Sequence, residues 1–197
     1  MYIVKKVSSP VRDIFSPLWE EADVAEIKCV NWKEFEYAPK TQVRLLYSDF
    51  GLHIRFITDE KNRIAKATAR NSYVYEESCV EFFIRPNEND HHYFTFEFNP
   101  LGTMYMSYRT SRTDFMNPTE EDAYFDIKSY TSGDKWSLMF TIPFEFMDKY
   151  FGGHTKKFFA NSQKCGGGTP HYLSLFPIST PAPDFHRPEF FGEFVLE

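Results

Sequence analysis

Hydrophobic and polar positions alternate most strictly between Tyr73 and Arg109. Val80, Phe82 and Ile84 share one side of a strand, with Cys79, Glu81, Phe83 and Arg85 on the other; Phe94, Phe96 and Phe98 oppose Thr95, Glu97 and Asn99 in the next. A period of two marks half-buried β-strands. After a Pro100-Leu101-Gly102 turn, Thr103 to Arg109 extends the set, and the length of that turn decides whether Tyr105 and Arg109 share the polar face. That face carries carboxylates and an amide on neighbouring strands beside Tyr75, an arrangement suited to holding a polar ligand.

Around this centre the pattern predicts further short elements. Residues 1–18, with Pro10 and Pro17, read as an extended lead-in, and Leu18 to Ala25 as a short helical turn anchored by Trp19. Ile27 to Trp32 reads as an edge strand. Thr41 to Tyr47 and Leu52 to Thr58 flank Ser48-Asp49-Phe50-Gly51, which is hairpin chemistry. Residues 59–72, 85–92 and 110–122 are polar and aperiodic, hence loops. Tyr124 to Tyr130 and Trp136 to Ile142 form a second hairpin around Ser132-Gly133-Asp134. Pro143 to Tyr150 is the one helix, its proline suited to a first turn. Lys157 to Ser162 reads as a strand, Lys164 to Thr169 as a flexible glycine loop, and Tyr172 to Phe176 and Phe190 to Leu196 as closing strands. Many short strands with almost no helix indicate an all-β, antiparallel β-sandwich or jelly roll, expected to be a single domain over residues 1–197.

Composition sharpens this picture at three points. Aromatic residues make up 19% of the chain, with 22 Phe and 12 Tyr, and such rings suit pleated surfaces and large cores. The formal net charge of −6 with no basic stripe argues against nucleic acid as a partner. The cysteines, Cys29, Cys79 and Cys165, match no zinc spacing, and Cys79 reads as a small buried residue. Met1 to Val7 lacks the apolar run of a signal peptide, and no segment is long and apolar enough to span a membrane. As written the chain reads as soluble and unexported, extracellular or periplasmic if a leader has been removed.

From about residue 15 onward the chain resembles the family-9 carbohydrate-binding modules and the wider DOMON-like group. The resemblance rests on Leu18-Trp19-Glu20-Glu21-Ala22, on Val43 to Tyr47 through Leu52-His53-Ile54, and on Tyr75 to Ile84. Trp136 to Pro143 and Asp184-Phe185-His186-Arg187-Pro188 with Phe191-Gly192 complete it. It implies a sandwich that clamps the reducing end of a sugar chain between two aromatic residues. The clamp positions fall on Tyr75 and Phe185, where the family has tryptophan. The strand glutamate falls on Glu81, the strand asparagine on Asn99, and a basic position on Glu97; by itself Asn99-Pro100-Leu101-Gly102 favours a turn role for Asn99. His186 and Arg187 are rim candidates. The resemblance further implies a glycoside hydrolase as a partner and, in some members, a structural calcium.

The expected function is therefore non-catalytic binding of a sugar or oligosaccharide end. Two alternatives stay open: a glycan-processing enzyme using Glu81 and Glu97 as paired carboxylates, and a sandwich that has lost sugar binding and serves a protein partner. A transition metal at His91-His92, beside Asn87, Glu88 and Asp90, is a weaker candidate, since adjacent residues on an extended chain point opposite ways.

Overall fold

The computed structural model describes residues 1–86 and 89–197. Fourteen strands are found among them: β1 (Tyr2–Lys6), β2 (Ala25–Glu26), β3 (Cys29–Val30), β4 (Lys40–Ser48), β5 (Gly51–Asp59), β6 (Cys79–Arg85) and β7 (Tyr93–Phe98). There follow β8 (Met104–Arg109), β9 (Phe115–Met116), β10 (Lys128–Ser132), β11 (Lys135–Pro143), β12 (Lys157–Gly166), β13 (His171–Ser174) and β14 (Gly192–Leu196). One α-helix, α1 (Phe144–Phe151), starts directly after Pro143 and ends at Gly152, whose φ of 70° relieves the last turn.

The strands form a curled, sandwich-like sheet in the order β10-β11-β5-β4-β1-β14-β12-β6-β7-β8-β9. Pairing is antiparallel except at β1, which joins the two layers. Tyr2, Ile3 and Val4 run parallel to β14, while Lys5 and Lys6 run parallel to Leu46 and Tyr47 of β4. The expected extended lead-in therefore contains a strand, and its partners lie far away in sequence.

The alternating residues meet between the layers. Val80, Phe82, Ile84, Phe94, Phe96 and Phe98 pack against Val43, Leu45, Ile54, Phe56, Leu138 and Phe140. Phe140 lies 4.6 Å from Phe98 and 5.5 Å from Phe96, ring centre to ring centre. The helix closes one end through Phe146, 4.7 Å from Phe94. The outer face of β4, β5 and β11 is covered by the N-terminal segment: Val7, Val11, Ile14 and Trp19 pack on Leu46 and Met139. Trp19 is fully buried at the 3₁₀ turn Pro17–Glu20, as its anchor role required, and Arg55 sits 5.0 Å over its ring. Among the described residues no helix is long and apolar enough to cross a membrane.

Three boundaries differ from expectation. The edge strand expected at 27–32 is reduced to Cys29–Val30, with a further short pairing just before it at Ala25–Glu26, and the second hairpin begins only at Lys128 because Asp122–Phe125 forms a 3₁₀ turn. More consequentially, β12 continues through Lys164 to Gly166, where a flexible loop was expected. Lys164 is fully buried, pointing into the sandwich, and its three N–H donors meet Glu60 Oε2 at 3.1 Å, the Cys165 carbonyl at 2.6 Å and His171 Nε2 at 3.0 Å. The Glu60 carboxylate also accepts from Trp136 Nε1 at 3.0 Å and Ser78 Oγ at 2.9 Å. Burial, and then the Lys164 charge, lower the His171 pKa to about 4, so its ring is neutral and accepts from Lys164 while Nδ1–H donates to the Thr169 carbonyl.

Removing one member of a buried, hydrogen-bonded ion pair leaves an uncompensated charge. Glu60→Ala is expected to lower the unfolding free energy by about 3–5 kcal/mol in urea denaturation. A second consequence concerns His53, buried between Ser48 Oγ and Thr141 Oγ1, each at 2.9 Å. Burial lowers its pKa to about 4. Between that value and the ordinary one the unfolded chain binds a proton that the native state does not, so acidification destabilises; at higher pH the contribution to the slope disappears. His53→Leu is expected to flatten the pH dependence of unfolding free energy by about 1.4 kcal/mol per pH unit across this window.

Candidate functional site

The second face of β6, β7, β8 and β12 is also buried, under loops instead of strands. Trp32, Val74, Phe185 and Phe191 pack there on Cys79, Phe83, Tyr93 and Tyr105. The loops leave one cleft of about 470 Å³ open above the strands. Its floor follows from register: Gln163, Glu81, Glu97 and Tyr105 are successive direct partners across four strands, and Glu81, Glu97 and Tyr105 line the cleft. The turn after Asn99 puts Tyr105, Ser107 and Arg109 on the same face, which sequence alone left undecided.

One wall is aromatic. Tyr75 lies on the 3₁₀ turn Val74–Glu76 and is 40% exposed; Tyr73, 61% exposed, stacks on it at 5.4 Å, and Tyr105 meets it edge-on at 5.6 Å. Of the three successive glycines, Gly167 holds this wall close. A Cβ at Gly167 would collide with the Glu76 carbonyl oxygen and one at Gly168 with that of Asn62. The run is thus a close-packed turn, and glycine serves for lack of space rather than for flexibility. The opposite wall is the 183–186 segment, joined to the 110–114 loop by Arg112 and Asp184 at 3.4 Å.

Electrostatics on the floor are dominated by burial. Glu81 and Glu97 are each 3% exposed, and burial pushes both carboxyl groups well above the usual range; mutual repulsion adds to the rise at Glu97. Arg109 partly offsets this. Its Nε donates to Ser107, its Nη1 donates to the Arg112 carbonyl at 2.8 Å, and its guanidinium lies 4.1 Å over the Phe115 ring. Tyr75 is raised to about 12 by burial and by Tyr105 and Glu97, so its hydroxyl remains protonated. His186 stacks on Phe83 at 5.1 Å, and burial lowers its pKa to about 3, leaving a neutral ring in contact with Tyr93 Oη at 3.3 Å.

The carbohydrate-binding family 9 model matches residues 18–196. The chain belongs to that family. No curated protein matches it in sequence. Among solved structures, a candidate carbohydrate-binding protein from Bacteroides uniformis ATCC 8492 is similar at 28% identity, with a TM-score of 0.85 over 99% of this chain and 98% of that one. A family-9 module from Caldicellulosiruptor kristjanssonii in complex with glucose shares the fold at 13% identity and a TM-score of 0.65, covering 99% and 95% of the two chains. The same organism's module with cellotriose gives 13% and 0.66, over 100% and 93%.

Within this family-9 module the structure gathers Tyr75, Glu81, Glu97, Phe185 and His186 around the cleft. Phe185 offers little surface: it is 9% exposed, held 5.9 Å from Trp32 and 6.1 Å from Tyr172. Two candidates fall outside. Asn99 is fully buried in its turn, donating to the Ala67 carbonyl at 2.8 Å and Glu77 at 3.0 Å and accepting from the Leu101 and Thr103 amides. Its four hydrogen-bonding positions are thereby used. Arg187 is taken by Glu189, with Nε at 2.7 Å from the carboxylate, and does not line the cleft. Sequence reasoning missed Tyr73, Arg112, Phe115 and Tyr172, which loops and strand ends bring in from four separate stretches.

Of the metal candidates, His92 stacks on Tyr108 and bonds Asp90 at 3.0 Å, and the neighbouring Asn87 and Glu88 lie outside the described residues. Calcium favours six to eight oxygen ligands. Among the described residues no three Asp or Glu carboxylates converge.

The glycine constraint is directly testable. Gly167→Ala is expected to cost about 1–3 kcal/mol of stability through overpacking and to shift the ring resonances of Tyr73 and Tyr75 in NMR spectra, because the added methyl presses on Glu76.

Proposed function

We propose that the cleft binds a sugar or the end of an oligosaccharide without catalysing its turnover. The observation that carries this reading is an exposed tyrosine wall set beside buried carboxyl groups on a rigid sheet, in a chain of carbohydrate-binding family 9. A pyranose has an apolar C–H face that lies against aromatic rings and a rim of hydroxyls that both donate and accept. Tyr75, with Tyr73 behind it, supplies the first; Glu81, Glu97 and the Tyr105 hydroxyl supply the second. Burial opposes the ionisation of both carboxyl groups, and a carboxyl that keeps its proton offers such a rim a donor as well as an acceptor. Phe185 adds an edge contact from the far wall, and His186 adds a neutral imidazole. Sugars bound by solved family-9 modules, glucose and cellotriose, support the ligand class.

Calorimetric titration with glucose, xylose, galactose, cellobiose, xylobiose and the alditol of each, with calcium present and with chelator, tests the reading. Binding of at least one sugar is expected, with loss on reduction to the alditol if the end of the chain is held. Tyr75→Ala is expected to weaken it about tenfold or more, equivalent to about 1.4 kcal/mol. Silence across the panel, or release of product sugar from the disaccharides, would overturn the proposal.

A further inference from the structure

The floor of the cleft also holds sulfur. Cys79 and Cys165 are direct partners across β6 and β12, and Glu81 follows Cys79 by two residues on the same face. The two sulfurs and a Glu81 carboxylate oxygen all lie within 4.8 Å of one another, and all three residues are buried. Cys165 Sγ approaches Glu81 Oε1 to 3.2 Å. Among the described residues this is the one place where three such ligand atoms converge. We propose that Cys79, Cys165 and Glu81 form a binding site for a thiophilic divalent transition metal of the zinc class, with its fourth coordination position facing the cleft.

Geometry supports the assignment first. Zinc binds thiolate sulfur at about 2.3 Å and carboxylate oxygen at about 2.0–2.2 Å, so tetrahedral ligand atoms stand roughly 3.8 Å apart. The observed spread lies within a small side-chain adjustment of that value, and the strands supplying the ligands are fixed by their ladder. Ligand chemistry supports it next. Two thiolates and one carboxylate select a soft or borderline ion and disfavour calcium or magnesium. Binding releases the two thiol protons and the proton that burial favours on Glu81; two thiolates and one carboxylate around a divalent ion leave one net negative charge, which the nearby Lys164 and Arg109 charges offset. Access is provided because Cys165 and Glu81 line the cleft, with Cys79 beneath them. Three protein ligands with one position open to a chamber is the arrangement of a zinc site able to take water or a ligand hydroxyl. The two cysteines are far apart in sequence, so no spacing motif announces the site.

Glu81 is shared with the proposed sugar rim, but metal binding is read without sugar, so failure of one reading is distinguishable from failure of the other. Protein purified under reducing conditions, stripped with chelator and titrated with Co²⁺ alone is expected to bind one ion per chain. The bound ion should give a thiolate-to-cobalt charge-transfer band in the near ultraviolet, which Zn²⁺ then bleaches. Cys165→Ser and the near-isosteric Glu81→Gln are each expected to weaken Co²⁺ binding tenfold or more while circular dichroism shows an intact fold, and Cys29→Ser is expected to leave it unchanged. Three results would overturn the proposal: no Co²⁺ bound, a charge-transfer band that survives Cys165→Ser in the folded protein, or a Cys79–Cys165 disulfide forming in air despite saturating Zn²⁺.

Discussion

Lys164 reaches into the sandwich from β12 and gives each of its N–H bonds to a protein acceptor, the most demanding being the carboxylate of Glu60. Taking both charges out of water is costly, and the arrangement holds only because every donor and acceptor is matched. Glu60 in turn gathers Trp136 and Ser78, so the end of β5, the start of β6, and β11 and β12 converge on one buried group. The following residue, Cys165, faces the opposite way by strand alternation and lies on the cleft floor. The ion pair inside the sandwich thus fixes the height and phase of the surface outside it. Gly166 continues this logic, leaving no room for a Cβ between itself and the His171 ring.

How much of this was legible in the sequence depends on the range of the constraint. The phase of β6 and β7 could be read directly, because alternation is local and a slip of one residue would reverse the faces. Alternation therefore puts Glu81 and Glu97 on one face, whereas Tyr75 lies on a turn and enters as a site candidate through the family resemblance. Asn99 obeys the same alternation, yet its side chain is consumed by the turn that Asn99-Pro100-Leu101-Gly102 itself favours. The three successive glycines make Lys164 to Thr169 read as a flexible loop, although Lys164 belongs to a strand and points into the core. Both errors share a cause: a buried acid more than a hundred residues away made the lysine tolerable, and carbonyls from other loops made the glycines necessary. β1 was missed for the same reason, since a three-residue apolar run does not announce partners at residues 194–196.

The two faces of the central strands contrast in how they are covered. The inner face meets another sheet, where aromatic rings interdigitate. The outer face meets loops, whose irregular backbones cannot tile a pleated surface completely. A cleft is the natural remainder of that mismatch, and its floor inherits polar side chains that a tighter cover would have excluded. Burial then keeps Glu81 and Glu97 protonated more readily than surface carboxylates. The floor consequently resists the build-up of negative charge that two exposed carboxylates would carry there.

The position of β1 bears on when the molecule can assemble. Its first half pairs with β14 and its second half with β4, so the seam between the two layers is held by the earliest and latest strands of the chain. Closing such a seam fixes almost the whole chain length in one loop, a slow, nonlocal step in folding. During synthesis the β4–β5 and β6–β7–β8 ladders are available long before residues 192–196 leave the ribosome. Until then one edge of each layer stays unpaired, a surface that invites contact with other chains. The half of the joint that uses β14 therefore waits on residues 194–196, whereas the half on β4 does not.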